Sequence, residues 1–148
     1  MNCLISSINY CPVKSLSFQS VKSCTIKKDL GMLNDRLFAF SRGIDFAKAK
    51  LIEKKKNQRK LNFFLTLKNS PILNKYKFIY KEKILTLVKD NIEIISISTY
   101  DHSQYKLICD KLIELEESIL EPIFLLKNKD YPFFDTTHTN IISNTISL

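Results

Sequence analysis

Pro12-Val13-Lys14-Ser15 and Gly31-Met32-Leu33-Asn34-Asp35-Arg36, the second running straight into Leu37-Phe38-Ala39-Phe40, decide how this chain is read. Pro12 fixes φ and holds Cys11 extended, so a strand over Leu4–Tyr10 must stop or turn there. Lys14 and Ser15 then sit at a strand end, where functional side chains are commonly displayed. Gly31 can take positive φ and supplies the second turn. The expected arrangement sets the two turns side by side and presents Lys14, Ser15 and Arg36 to an anion. Arginine offers a planar fork of donors for phosphate, lysine a point charge and serine a short hydroxyl. The plainer alternative is that Asp35 and Arg36 form a local ion pair that only pins the turn.

Working outward, Phe18–Ile26 alternates as a strand of mixed polarity, and Leu37–Phe40 is a third strand ending near Arg42-Gly43. Residues 44–60 are charged and weakly patterned, with a strand or short helix around Phe46-Ala47-Lys48-Ala49. Leu61–Leu67 is aromatic and apolar, read as a strand, and Asn69-Ser70-Pro71 as a loop. Tyr76–Tyr80 and Ile84–Val88 form a hairpin around Lys81-Glu82-Lys83, a three-residue connection without the usual glycine. Ile92–Ser98 is a further strand. Six or seven strands spaced at roughly 10 to 15 residues predict an antiparallel sheet curled into a barrel.

From Ser103 the period changes. Tyr105, Ile108, Leu112, Leu115 and Ile119 fall on one helical face, with Asp101 or Ser103 as cap and Pro122 beyond the end. Ile123–Leu126 returns to strand and Asp130–Asp135 is a loop. Ile141–Leu148 begins a new element within which the sequence stops, which reads as a fragment or a gene cut short. The expected fold class is mainly β (α+β): an antiparallel barrel-like domain over 1–132 with one late amphipathic helix, then the start of a second domain over 133–148.

The length of 148 residues suits that division, and 45% apolar residues can bury a core. No apolar run reaches the ~20 residues of a bilayer span. The N-terminus lacks a signal peptide's basic region, so a cytoplasmic protein without membrane contact is expected. Cys3, Cys11, Cys24 and Cys109 show no paired metal-ligand spacing and read as packed thiols. The net charge of +8 comes from twenty lysines and only three arginines. That pattern fits compositional bias better than a designed nucleic-acid surface, which would use arginine interleaved with aromatics. Lys54–Lys60 reads as a solvated loop between two strands. The competing functional class is a non-enzymatic basic β-barrel module that meets an acidic partner or nucleic acid through its lysines. His102 reads as a surface or capping residue. His138 sits in a polar turn without a catalytic cluster. Tyr131, Phe133 and Phe134 read as a plug at the domain junction.

The order Pro12-Val13-Lys14-Ser15, polar strand, Gly31, Asp35-Arg36, apolar strand resembles the N-terminal β-barrel domain of MOSC proteins. These are relatives of the molybdenum cofactor sulfurase C-terminal domain and of the amidoxime-reducing molybdoenzymes. The similarity continues in Phe64-Leu65-Thr66 followed by Pro71, in the late helix, in Phe133-Phe134-Asp135, and in Ile141–Leu148, which resembles the start of the MOSC domain proper. The resemblance implies that Lys14, Ser15 and Arg36 contact the pterin-phosphate part of the molybdenum cofactor (molybdopterin). It places further cofactor contacts among Asn144, Thr145 and Ser147. It also implies a molybdenum-dependent oxidoreductase or a sulfur-transfer protein, completed by a C-terminal MOSC domain and served by an electron-transfer protein of ferredoxin or flavoprotein type. Cys11 stands where the family has tyrosine, and Lys68 or Asn69 replaces an arginine near Pro71. None of the four cysteines matches the family's metal-ligating one, so no metal ligand and no catalytic residue is assigned, and the chain alone is expected to be inactive.

Overall fold

The computed structural model describes residues 4–134, which form a mixed α+β fold of short, mostly antiparallel strands and two helices. β1 (Ile8–Tyr10) pairs with β2 (Gln19–Val21), and β3 (Ile26–Lys27) with β4 (Gly31–Met32). The single strand expected over Phe18–Ile26 is therefore two short pieces. Ser23, Cys24 and Thr25 between them are exposed and have no core to alternate against. Gly31 takes φ +74, as its turn requires.

β5 (Phe38–Arg42) pairs antiparallel with β9 (Ile123–Lys127), Phe38 opposite Lys127 and Arg42 opposite Ile123. Both faces of β5 are covered, which explains its continuous apolar run. Phe38 and Phe40 join the main core, whereas Ala39 joins a second cluster with Ala49, Ile52, Phe64, Leu126 and Phe133. The helix that makes this second layer is α1 (Phe46–Lys54). Asp45 caps it by accepting from the Lys48 amide at 2.7 Å. So the charged stretch resolves as helix, and Lys54, read as part of a loop between strands, lies in its last turn. The strand expected at Leu61–Leu67 is also corrected. Leu61–Phe63 is a 3₁₀ turn, and only Phe64 forms an isolated bridge, to Ser41. The run touches β5 only there, the Leu65 amide donating to the Phe40 carbonyl at 2.9 Å.

β6 (Tyr76–Lys81), β7 (Ile84–Lys89) and β8 (Ile92–Ser98) form a three-stranded meander. Its turns are two-residue, Glu82-Lys83 and Asp90-Asn91, all four residues at positive φ. That is the primed geometry matching strand twist, adopted here without glycine. The outer edge of β6 meets side chains rather than a strand. The Phe78 amide donates to Ser17 Oγ at 2.7 Å and the Tyr80 amide to Gln19 Oε1 at 2.9 Å. Backbone donors along this edge are thus satisfied although the described strands form four separate sheets.

α2 (Tyr105–Leu115) packs Tyr105, Ile108, Cys109 and Leu112 into the main core. Asp101 caps the 3₁₀ turn that leads into it. The helix stops at Leu115, short of Ile119, and Ile119 is buried beyond the helix end. The buried Glu116 carboxylate at this break accepts from the Tyr76 hydroxyl and pairs with Lys75. Burial raises the Glu116 pKa, but the hydrogen bonds from Lys75 and Tyr76 outweigh it and leave it below the ordinary 4.5. A carboxylate pKa lowered by folding adds stability above the ordinary value, which is lost as pH falls through the folded value. Glu116→Gln is therefore expected to flatten the fall in stability below pH 4.5. Urea midpoints across that range check this, and parallel pH profiles for variant and wild type would contradict it.

Candidate functional site

Residues 11–14 run alongside residues 36–38, and backbone hydrogen bonds fix the register. The Arg36 amide donates to the Cys11 carbonyl at 2.6 Å, Phe38 to Pro12 at 3.0 Å and Lys14 to Phe38 at 2.8 Å. Val13 and Phe38 form a parallel bridge. The two turns are adjacent, as the sequence suggests. Asp35 fastens them with both oxygens: Oδ1 accepts from the Cys11 amide at 2.9 Å, and Oδ2 pairs with Arg36 Nη1. The local ion pair is therefore present, but it uses only one edge of the guanidinium.

Three residues of this corner hold left-handed backbone: Ser15 at φ 54, Asn34 at φ 70 and Arg36 at φ 51. Each costs roughly 1–2 kcal/mol for a residue with a Cβ. The Ser15 carbonyl is held by the Leu67 amide at 3.3 Å. The Arg36 side chain is 26% exposed and its guanidinium lies 5.7 Å from the Phe134 ring. Its Nε is buried and has no hydrogen-bond partner among the described residues. An unspent buried donor costs about 1–3 kcal/mol.

Lys14 departs from the picture of a displayed cation. It is 1% exposed, its ammonium donates to the Phe133 carbonyl at 3.2 Å, and it lies 5.4 Å from the Phe64 ring. Phe133 also donates its amide to the Arg36 carbonyl at 2.8 Å. The backbone of one residue thus touches both candidate ligands. Asn144, Thr145 and Ser147 lie outside the described residues, as do Cys3 and His138.

Arg59 escapes the sequence reading, which puts it in a solvated loop. Its Nη1 donates to the Tyr131 and Pro132 carbonyls at 2.8 and 3.0 Å, Nε to Ile52 at 2.9 Å and Nη2 to Glu53 at 3.1 Å. Its guanidinium lies 4.1 Å from the centre of the Phe133 ring, which packs edge-on against Phe64 at 5.8 Å. Burial lowers the Arg59 pKa to about 10, opposed by the charge of Glu53. The sequence signal was a single arginine in a lysine run, a residue whose rigid fork a lysine cannot imitate.

Among the cysteines, Cys11 is buried and its thiol donates to the Val13 carbonyl at 2.8 Å. Cys109 is buried, and desolvation pushes its pKa up to about 12. Cys24 is exposed, contrary to the packed-thiol reading. It lines a hollow of about 270 Å³ whose walls include Tyr10, Met32 and Asn34. A larger hollow of about 590 Å³ lies on the outer face of the β6–β8 meander, lined by residues of those strands and their turns. Among the described residues there is no group of three or more His, Cys, Asp and Glu that could hold a metal ion, and no helix long and apolar enough to cross a membrane.

Comparison with protein-family models, with curated proteins and with solved structures yields no match. The corner's geometry therefore carries the functional argument. Asp35→Ala, which removes the acceptor for the Cys11 amide and the partner of Arg36, is expected to lower unfolding free energy by about 2 kcal/mol. Asp35→Asn keeps an acceptor oxygen and should lose less. Urea unfolding of the two variants checks the order, and an unchanged midpoint for Asp35→Ala would contradict it.

Proposed function

We propose that Lys14, Ser15 and Arg36 bind the anionic, phosphate-bearing end of a pterin cofactor. On this reading the chain belongs to a MOSC-type molybdenum cofactor protein, and its small sheets make up the barrel-like shell of that family's N-terminal domain. The observation that carries the reading is the buried Arg36 Nε without an acceptor among the described residues, on a residue at positive φ fastened to Asp35 and Cys11. A phosphate oxygen would satisfy that donor, and the nearby buried ammonium would supply charge in a site poor in water. The donor set suits an oxyanion: an Arg36 Nε with no acceptor among the described residues, and in the same corner the Lys14 ammonium and the Ser15 hydroxyl on a left-handed turn.

In this proposal the cofactor supplies the redox or sulfur-transfer chemistry when bound. The chain's own residues do something simpler. Arg36 and Lys14 offset the ligand's charge, Ser15 orients it, and Asp35 keeps Arg36 from swinging into solvent. Asn144, Thr145 and Ser147 are proposed to add contacts. A C-terminal MOSC domain and an electron-transfer protein of ferredoxin or flavoprotein type are the proposed partners of the whole protein, and the chain by itself is a binding unit rather than a catalyst.

A second reading, a basic module for an acidic partner or nucleic acid, has one observation in its favour. Lys48 and Lys60 both approach the Phe63 ring, Lys50 approaches Phe46 and Lys56 approaches Tyr131. Aromatics do interleave with cations around α1, which composition alone had argued against. One titration series separates the two readings. Pyrophosphate should bind the wild type with a modest salt dependence, and Arg36→Ala should weaken it by about tenfold, the loss of one charge-assisted contact. Binding equal in both proteins, together with a single-stranded oligonucleotide affinity that falls by several powers of salt concentration, would favour the second reading.

A further inference from the structure

We propose that Arg59 is the positioning residue of the anion corner. It fixes the 131–133 segment so that the Phe133 backbone, through its amide and its carbonyl, sets where the Arg36 turn and the Lys14 ammonium stand. This rests on reading that corner as an anion site.

The guanidinium spends all three nitrogens on main-chain carbonyls from two parts of the chain. Ile52 and Glu53 are near the end of α1, and Tyr131 and Pro132 follow β9. A planar fork can bridge two such segments only in one relative placement, whereas an ammonium would tolerate many. The residue next to Pro132 is Phe133, whose ring lies under the same guanidinium. The carbonyl of Phe133 receives the Lys14 ammonium, and its amide reaches the Arg36 carbonyl. Phe64 completes the arrangement, packed against the Phe133 ring with Lys14 on it as well. Arg59 therefore acts on both candidate ligands through one residue without needing to touch the anion. If the fork is lost, the Phe133 carbonyl is free to shift. The Lys14 ammonium, buried to 1% exposure, then loses that one of its contacts and is held less firmly in the interior.

The test is native-state acetylation of lysines, read residue by residue by mass spectrometry, alongside pyrophosphate titration of the same proteins. Arg59→Lys, which keeps the charge and removes the fork, should raise Lys14 labelling selectively and weaken pyrophosphate by about tenfold. Lys127, half-buried with its ammonium on Thr99, is the internal control for general loosening. Phe133→Leu, which keeps the peptide and removes the ring, should shift both readouts in the same direction by less, and it serves where Arg59→Lys does not fold. Lys106→Ala, at an exposed lysine of α2 paired with Asp110, should change neither. Equal rises at Lys14 and Lys127 would overturn the proposal, since Arg59 would then be a general staple of the fold. So would unaltered Lys14 labelling, or unaltered affinity, in an Arg59→Lys protein whose wild type binds. A wild type that binds no pyrophosphate would overturn the reading of the corner itself, and the proposal with it.

Discussion

A buried ammonium must find an acceptor, and for Lys14 the Phe133 carbonyl provides one. The contact joins residues 119 positions apart, and much of the corner depends on it. It brings the segment after β9 back onto the turn after β1. There the Phe133 amide bonds to Arg36, and its ring enters the second core cluster beside Phe64 and Ile52. Arg59 holds the same segment from the other side. The corner is therefore built by a long-range return of the chain, with Asp35 supplying the local fastening. Its cost is visible in the left-handed Ser15 and Arg36 and in the Arg36 Nε, which has no acceptor among the described residues. Strain and an orphaned donor in one place are what a binding site for an oxyanion would need before its ligand arrives.

Local features of the fold were legible in the sequence. Pro12 and Gly31 marked turns because each restricts or frees φ in a known way. The β6–β7–β8 meander and β5 followed from their apolar patterns, and α2 from the spacing of Tyr105, Ile108 and Leu112. Misreadings arose where a pattern needed a partner to become structure. Leu61–Leu67 has strand composition, but only Phe64 finds a bridge. Phe18–Ile26 alternates, but its middle has no face to bury. α1 was obscured by its weak apolar periodicity, with only Ala49, Ile52 and Glu53 buried, and its cap, Asp45, was the overlooked signal.

The site was half legible for the same reason. Adjacency of the two turns could be argued from Pro12, Gly31 and the apolar strand after Arg36. Burial of Lys14 could not, because the residues that cover it are distant in sequence. Arg59 was hidden by its lysine neighbours, and its role appears only once the Tyr131 and Pro132 carbonyls stand in front of it. Asp35, read as a possible ion-pair partner, turned out to hold the Cys11 amide as well. The two readings of that pair, pinning a turn and leaving a ligand site, are compatible, because the guanidinium has more donors than Asp35 can use.

The proposal that this corner receives molybdopterin is tested most directly by the pterin content of the purified chain. The protein would be produced in a host that makes the cofactor, and the fluorescent pterin released on oxidation would be measured for wild type and for Lys14→Met. The account predicts pterin in the wild type and a loss of about tenfold in the variant, the equivalent of about 1.4 kcal/mol of binding. No pterin in the wild type, or equal amounts in both proteins, would contradict it.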